Sequence, residues 1–139
     1  MSDLSGRPFF INLAVENVER SRRFFEALGY AFDARFEGEQ ACCLIINDLA
    51  YAMLLEPSFF QNFTERKVCD TSSHSEALLC VLVPTREEVD EMVEKAVAHG
   101  GAYAMPKQEQ GGMYGWSFYD VDGHHWEVGW MGEGLPPQE

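Results

Sequence analysis

Two side chains near the end of the sequence have the chemistry for proton transfer or ligand binding. His125 and Glu127 occur in Tyr119–Glu127, which reads YDVDGHHWE. Alternate residues of a strand point to the same face of a sheet, so both side chains would lie on one surface. Imidazole titrates near neutral pH, and a carboxylate can act as a base or a metal ligand. The spacing therefore indicates Glu127 and His125 as candidate catalytic residues.

Structural roles compete with this interpretation. The Glu127 carboxylate can equally serve as a hydrogen-bond partner of the backbone or of His125. A histidine at the edge of a hairpin can also face solvent without any function. Asp122-Gly123 between two strand-like runs predicts such a hairpin immediately before His125.

The elements that position this pair form an internal repeat. Phe9–Val15 is a strand-like run followed by Asn17, a helix N-cap residue, and Leu78–Val83 is followed by Thr85 and Glu88 at capping-box spacing. When Asn17 is aligned with Thr85, Phe10 falls on Leu78. Each helix is followed by β-rich sequence with turn residues. The strand predictions are Tyr30–Phe36, Gln40–Ile46 and Ala50–Leu55 in the first half, and Ala102–Pro106, Met113–Tyr119 and His124–Met131 in the second.

The repeat predicts an α+β fold of two tandem βαβββ modules, forming an open barrel-like sheet around a cavity. We assign residues 1–56 to the first module and 76–131 to the second. Residues 57–75 form a linker or lid, with a short helix at Ser58–Phe63, and 132–139 a flexible tail. The sheet faces away from the helices would line the cavity, so we expect ligand contacts at these positions: Phe10, Asn12, Leu54, Glu56, Leu78 and Trp116.

Composition and charge narrow the class of partner. The chain has 139 residues, 23 of them acidic and 10 basic, for a formal net charge of -13. Such a surface repels phosphate backbones and anionic membranes, so we expect neither a nucleic acid nor a membrane partner. The four cysteines form no CxxC pair, and the sequence shows no secretory signal or bilayer-length apolar run. We expect a cytoplasmic protein with reduced thiols, in which Cys42, Cys43 and Cys80 are small core residues.

Two segments resemble one superfamily. Phe10–Gly29, reading FINLAVENVERSRRFFEALG, is similar to the opening strand and helix of the glyoxalase/bleomycin-resistance/extradiol-dioxygenase (vicinal oxygen chelate) superfamily. Tyr119–Glu127 resembles its closing Asp-Pro-Asp-Gly-x-x-x-Glu hairpin, with Val121 in place of proline. With the repeat between them, the resemblance covers nearly all of residues 8–131.

The resemblance also implies where a metal would bind. Metal-dependent members take one ligand, His, Glu or Gln, from the first and last strand of each module. These positions map to Phe10, Leu78, a residue near Leu54, and Glu127, so three of the four are apolar here. A register shift would offer Asn12 and Glu56 instead, with His125 assisting Glu127, so a divalent metal stays possible at Glu127.

The leading functional hypothesis is a metal-independent protein that binds a small, partly apolar molecule in its cavity. The alternative is a metal-dependent lyase of the glyoxalase I type, or a dioxygenase, using Glu127. A third is a domain with a vestigial pocket that associates with other proteins. The resemblance also implies a homodimer.

Overall fold

A computed structural model of the chain describes residues 5–132. The fold is mixed α+β, and the chain divides into two units, the first ending at Cys69 and the second beginning at Asp70. This boundary falls within the predicted linker at 57–75. Almost all of the predicted tail at 132–139 lies outside the described residues.

The first unit contains a three-stranded sheet with one long helix packed against it. β1 (Phe9–Ala14) lies parallel to β3 (Ala50–Leu55), and β3 pairs antiparallel with β2 (Ala41–Asn47), so the order in the sheet is β1-β3-β2. A short helix, α2, and a 3-10 turn at Gln61–Phe63 follow the sheet. The helices are α1 (Val18–Ala27) and α2 (Pro57–Phe60).

The second unit repeats this pairing in a larger open sheet. The first strand, β4 (Leu78–Leu82), again lies parallel to the last, β8 (His125–Met131). β8 pairs with β7 (Met113–Tyr119), and β7 pairs with both β5 (Ala102–Tyr103) and β6 (Gln108–Gln110). The predicted duplication of the strand–helix–strands plan is therefore confirmed. The helix between β4 and β5 is α3 (Arg86–Ala98).

Both helices begin where the capping residues predict. The Asn17 side chain accepts a hydrogen bond from the Arg20 backbone N–H at 2.9 Å. Thr85 and Glu88 form a complete capping box, in which each side chain accepts from the other residue's backbone N–H. These caps fix the strand-to-helix corners of both units. The helices bury apolar stripes that include Phe24 and Phe25 in α1 and Val89, Val93 and Ala96 in α3.

Two predicted strands differ from the structure. In Tyr30–Phe36, Phe32 makes a single bridge to Leu44, and a 3-10 turn follows at Ala34–Phe36. The Asp33 side chain causes this turn, because it accepts from the Arg35 backbone N–H at 3.0 Å. The strand predicted at Ala102–Pro106 ends at Tyr103.

The turn at Gly111-Gly112 has a strand on each side of it. The strand before it, β6, pairs with β7 but was not predicted, because Gln108–Gln110 reads QEQ and carries no apolar residue. In the part of the chain that the structure describes, no helix is long and apolar enough to cross a membrane.

Candidate functional site

The two faces of the second sheet have different surroundings. Cross-strand register pairs Phe118 with Trp126 and Trp116 with Val128, and these side chains share the face on which α3 packs. The opposite face carries a separate set of pairs. They run from Tyr119–His125 through Ser117–Glu127 and Gly115–Gly129 to Met113–Met131, and β4 adds Leu78, Cys80 and Leu82 beside His125, Glu127 and Gly129.

A pocket of about 370 Å³ opens on this second face. His125 and Glu127 both line it, as do the predicted contacts Leu78 and Trp116. The pocket is therefore formed entirely by residues of the second unit. Its remaining lining consists of Cys80, Met105, Pro106, Gln108, Met113, Gly115, Ser117, Val128 and Gly129.

His125 is the most unusual polar group in this lining. The residue is only 7% exposed, and its Nε2 atom has no hydrogen-bond partner among the described residues. Glu127 Oε2 lies 3.8 Å from Nε2, beyond hydrogen-bond distance, and the Tyr119 ring contacts the imidazole edge-on. A buried polar atom without a partner is costly, so a bound molecule that supplies one would be stabilised here.

Glu127 is more open than its neighbour. Its side chain is 44% exposed and lies between Ser117 on β7 and Cys80 on β4 in the register of the sheet. Cys80 is exposed by surface area, but the neighbouring strand still removes part of the water around its thiol, and this desolvation, with a smaller contribution from the Glu127 charge, raises the pKa of Cys80. Cys80 therefore lies on the pocket face, whereas the sequence predicted a core residue. The carboxylate can accept hydrogen bonds from a ligand in the pocket.

Trp116 borders the pocket in a different way from the one predicted. Its indole ring stacks on Tyr103, with ring centroids 5.4 Å apart, and the Lys107 ammonium lies 4.6 Å from its centroid. Strand alternation places this ring on the face of α3, where Tyr103 donates to Glu94. The wall of the pocket at Trp116 is therefore formed by main chain, and we do not expect the ring to stack on a ligand.

A buried carboxylate holds the hairpin that carries His125. Asp120 accepts hydrogen bonds from the Asp122 and His124 backbone N–H groups and from Trp126 Nε1, at 2.9 to 3.0 Å. Burial raises the pKa of Asp120. Gly123 has a φ of +88°, and a Cβ there would collide with the Thr71 carbonyl oxygen. The turn before β8 therefore packs closely against the loop that contains Thr71, and this contact fixes the residue at which β8 begins.

Four predicted contacts belong to the first unit and have partners there. The Phe10 ring stacks on Tyr51 with centroids 4.8 Å apart, and Leu54 is fully buried on the face that packs on α1. Glu56 accepts from the Val18 backbone N–H at 3.2 Å, so its carboxylate caps α1. Asn12 lines a separate pocket of about 440 Å³ with Leu55, Phe60, Phe63 and Thr64.

Register also refines the predicted position near Leu54. Phe10 and Asn12 pair with Tyr51 and Met53, so the residues of β3 on their face are odd-numbered. Leu54 points to the helix side instead. Leu54 is therefore buried against the helix and does not face a pocket. The sequence could place this strand only to within a residue or two, which is why the predicted position is on the other face.

The donor set does not fit a divalent metal ion. Leu78 and Phe10, at two of the positions where the superfamily supplies ligands, have no donor atom. Glu127 and His125 provide only two side-chain donors, fewer than the three or four that a zinc ion takes from a protein. Between residues 5 and 132, no group of three or more His, Cys, Asp or Glu side chains could hold a metal.

Comparison with known proteins identifies the class. A sequence model of the Glyoxalase/Bleomycin resistance protein/Dioxygenase superfamily matches residues 7–128. The chain belongs to this superfamily. Its members have varied activities, so membership does not by itself assign one. A search of curated proteins found no match.

Solved structures support the same fold. The hypothetical protein SA1046 from S. aureus is similar at 29% identity over 91% of this chain and 94% of that chain, with a TM-score of 0.76. A glyoxalase-related enzyme from Fulvimarina pelagi is 23% identical over 90% and 88%, with a TM-score of 0.74. The fosfomycin resistance protein FosX from Listeria monocytogenes, complexed with Mn(II) and sulfate ion, is 18% identical over 91% and 90%, with a TM-score of 0.64. The similarity to the last two structures is evidence for the fold only.

Proposed function

We propose that this protein binds a small, partly apolar molecule, without a metal ion, in the pocket of its second unit. The observation that carries the proposal is the unpartnered Nε2 of His125, which is buried in the wall of that pocket. Leu78, Met105 and Met113 would contact the apolar part of the ligand. His125 and Glu127 would bind its polar group.

The volume and chemistry of the pocket agree with a small ligand. A pocket of about 370 Å³ lies within the range of sites that hold small molecules. Carbon and sulfur atoms dominate the side chains around it, so burying an apolar body there is favourable by roughly 25 cal/mol for each Å² removed from water. The few polar groups would set the orientation of the ligand.

A second candidate function is an enzyme of the glyoxalase I type, or a dioxygenase, that uses Glu127. One observation favours it: the Glu127 carboxylate faces the pocket beside an imidazole, and such a pair can move a proton. FosX, which shares the fold, is a complex with Mn(II). The apolar residues at the other implied ligand positions weigh against this candidate.

One experiment separates the two candidates. The full chain, isotope-labelled and treated with a chelator, is titrated by NMR with a panel of small amphiphilic fragments. We expect at least one fragment to bind and to shift resonances of β4, β7 and β8. His125→Ala should weaken that binding about tenfold, because the ligand loses its buried partner. His99→Ala, at the exposed end of α3, is the matched control.

Two outcomes would overturn the proposal. In one, fragments bind only after Mn(II), Zn(II) or Ni(II) is added, and calorimetry shows one ion bound per chain. In the other, the His125 variant binds as tightly as the wild type. The first outcome would support the metal-dependent enzyme, for which Glu127→Gln should then abolish both metal binding and turnover.

We also propose a cytoplasmic homodimer. The superfamily supports pairing, and reduced thiols suit the four free cysteines. Light scattering of the purified protein tests the dimer, and a mass equal to one chain at micromolar concentration would contradict it.

A further inference from the structure

A pair of glycines leaves the middle of the pocket without side chains. Gly115 on β7 and Gly129 on β8 face each other in the register of the sheet, and both line the pocket. Glycine is unfavourable inside a strand because it loses more conformational entropy and has no side chain to pack. Two opposed glycines therefore indicate a place where another molecule approaches the backbone closely.

The two glycines differ in how much space lies above them. A Cβ on Gly129 would meet the Met113 methyl at 2.9 Å and a Leu82 methyl at 3.1 Å, so these side-chain tips already lean over it. A Cβ on Gly115 would meet only the Val128 carbonyl oxygen, at 3.6 Å. The open floor of the pocket is therefore at Gly115.

The neighbours of Gly115 define the shape of this floor. Along β7 they are Met113 and Ser117, across the sheet Gly129, and on β6 Gln108. Residues two apart on a strand are separated by about 7 Å, so the Cα atoms of Met113 and Ser117 are roughly 13 Å apart, with Gly115 between them on this face. Proteins often cover a glycine in a sheet with an aromatic ring from the next strand, and none of these four neighbours is aromatic.

We infer that the pocket selects a flat, conjugated ring that carries a hydroxyl or amino group, with the ring lying on Gly115. This inference rests on the proposed function and specifies its ligand class. The ring occupies the position of the absent cross-strand aromatic side chain. The Met113 thioether contacts its edge, a favourable arrangement for sulfur and an aromatic ring.

The polar end of the pocket specifies the substituent. His125 Nε2 and Glu127 Oε2 are 3.8 Å apart, too far for a direct hydrogen bond, and a small movement of the buried imidazole would let one ligand atom contact both. A hydroxyl group fits, because it donates to the carboxylate and can accept a second hydrogen bond from the imidazole N–H. Glu127 is two register pairs from Gly115, which is the next pair on the same face, so a fused two-ring molecule spans the distance.

Three probes test shape and polarity separately. They are 2-naphthol, its saturated analogue 2-decalol and its ether 2-methoxynaphthalene, each titrated into the full chain by NMR. The saturated compound exposes more apolar surface, so simple hydrophobic transfer would favour it. We expect 2-naphthol to bind about tenfold more tightly than either of the others, because only it is both flat and able to donate.

Gly115→Ala tests the floor directly. The φ of Gly115 is not positive and its Cβ has room, so the melting temperature should stay the same or rise. Affinity for 2-naphthol should nevertheless fall at least about fivefold, because the methyl group lifts the ring from the sheet. Gly38→Ala, an open position in the first unit, is the matched control and should change neither quantity.

The outcomes distinguish this inference from the proposed function. If 2-decalol binds as well as 2-naphthol, or Gly115→Ala leaves the affinity unchanged, the flat-ring inference is wrong while a binding pocket remains. If 2-methoxynaphthalene binds as well as 2-naphthol, the requirement for a donor is wrong. If neither these probes nor any fragment of the panel binds the second unit, the proposed function fails as well.

Discussion

The two units have the same strand pairing, but the side chains on the helix-free face of their sheets are different. In the first, the Phe10 ring stacks on Tyr51 and meets Phe36 edge-on at 5.6 Å, so aromatic side chains cover the strands. In the second, Gly115 leaves its strand bare beside a buried histidine, while the tips of Met113 and Leu82 lean over Gly129. The first face is thus covered by the protein's own rings at Phe10 and keeps a separate pocket at Asn12, whereas the second presents bare backbone beside an unpartnered imidazole.

The hairpin that precedes the last strand of each sheet also differs between the units: it is exposed in the first and held by buried contacts in the second. The β2–β3 turn is exposed, and its Asn47 side chain accepts from the Leu49 backbone N–H at 2.9 Å. The turn before β8 is held by buried Asp120 and by the loop at Thr71. A rigid turn preorganises the strand that follows it, and that strand carries His125 and Glu127. The second unit has both the unfilled surface and the support that a binding site needs.

Removing the buried turn carboxylate should have the largest effect. Asp120→Ala removes the side-chain acceptor of three N–H groups, two of them in buried hydrogen bonds, so we expect the free energy of unfolding to fall by about 3 kcal/mol. Urea denaturation of the full chain measures it. Asn47→Ala, the matched change in the exposed turn, should cost less than about 1 kcal/mol. Equal losses for the two variants would remove the distinction between the hairpins.

The alkylation rates of one cysteine from each unit, Cys42 and Cys80, provide a second comparison of the two units. Cys42 is fully buried in the first unit, and burial raises its pKa to about 12, whereas Cys80 is exposed on the pocket face. Iodoacetamide at about pH 8 should alkylate Cys80 at least roughly a hundredfold faster than Cys42. Peptide mapping by mass spectrometry measures both rates in one sample.

The pH dependence of this reaction has a definite sign. Because burial raises the pKa of Cys80 above its ordinary value of 9.0, its thiolate is scarce at neutral pH. Its alkylation should therefore accelerate as the pH rises past that value. Bound 2-naphthol should protect Cys80 and leave Cys69, which lies outside the pocket lining, unprotected. Protection of both or of neither would show that the ligand is not in this pocket.

Trimming the covered face should lower stability and leave binding unchanged. Phe10→Ala removes the ring that stacks on Tyr51. Because Phe10 is 37% exposed, we expect a loss of only roughly 1 to 2 kcal/mol in the free energy of unfolding. Affinity for 2-naphthol should change by less than about twofold. Tyr103→Phe, which removes a surface hydroxyl in the second unit, is the control. A tenfold loss of affinity in Phe10→Ala would instead make the first unit part of the site.

The sequence predicted the fold because its signals are local. Asn17, Thr85 and the Asp122-Gly123 turn define element ends by short-range hydrogen bonds, and each was found where its spacing predicted. The strand at Tyr30–Phe36 failed because the Asp33 side chain competes for the backbone, an effect that apolar alternation does not register. Short polar β6 was missed because the sheet, and not its own sequence, makes it a strand.

The site was only partly predictable, because it depends on which face each residue occupies. Alternation correctly put His125 and Glu127 together, since they lie on one strand. Trp116 and Leu54 were assigned to a ligand face from residue type or alignment, and register turns both side chains toward the helices. Gly115 and Gly129 attract no notice in a sequence, because their meaning depends on being opposite each other.

The smallest expected effects come from the helix caps, where the two units should behave alike. Asn17→Ala and Thr85→Ala each remove a side-chain acceptor of the first turn, at a cost of about 1 kcal/mol in unfolding free energy. Thr85→Ala should cost slightly more, because Glu88 also loses its hydrogen bond from the Thr85 hydroxyl. Neither change touches the pocket lining, so 2-naphthol affinity should be preserved in both. Urea denaturation and an NMR titration of each variant give the two quantities. If Thr85→Ala lowered affinity while Asn17→Ala did not, the position of α3 would control the pocket, and the contrast between the units would extend to their helices.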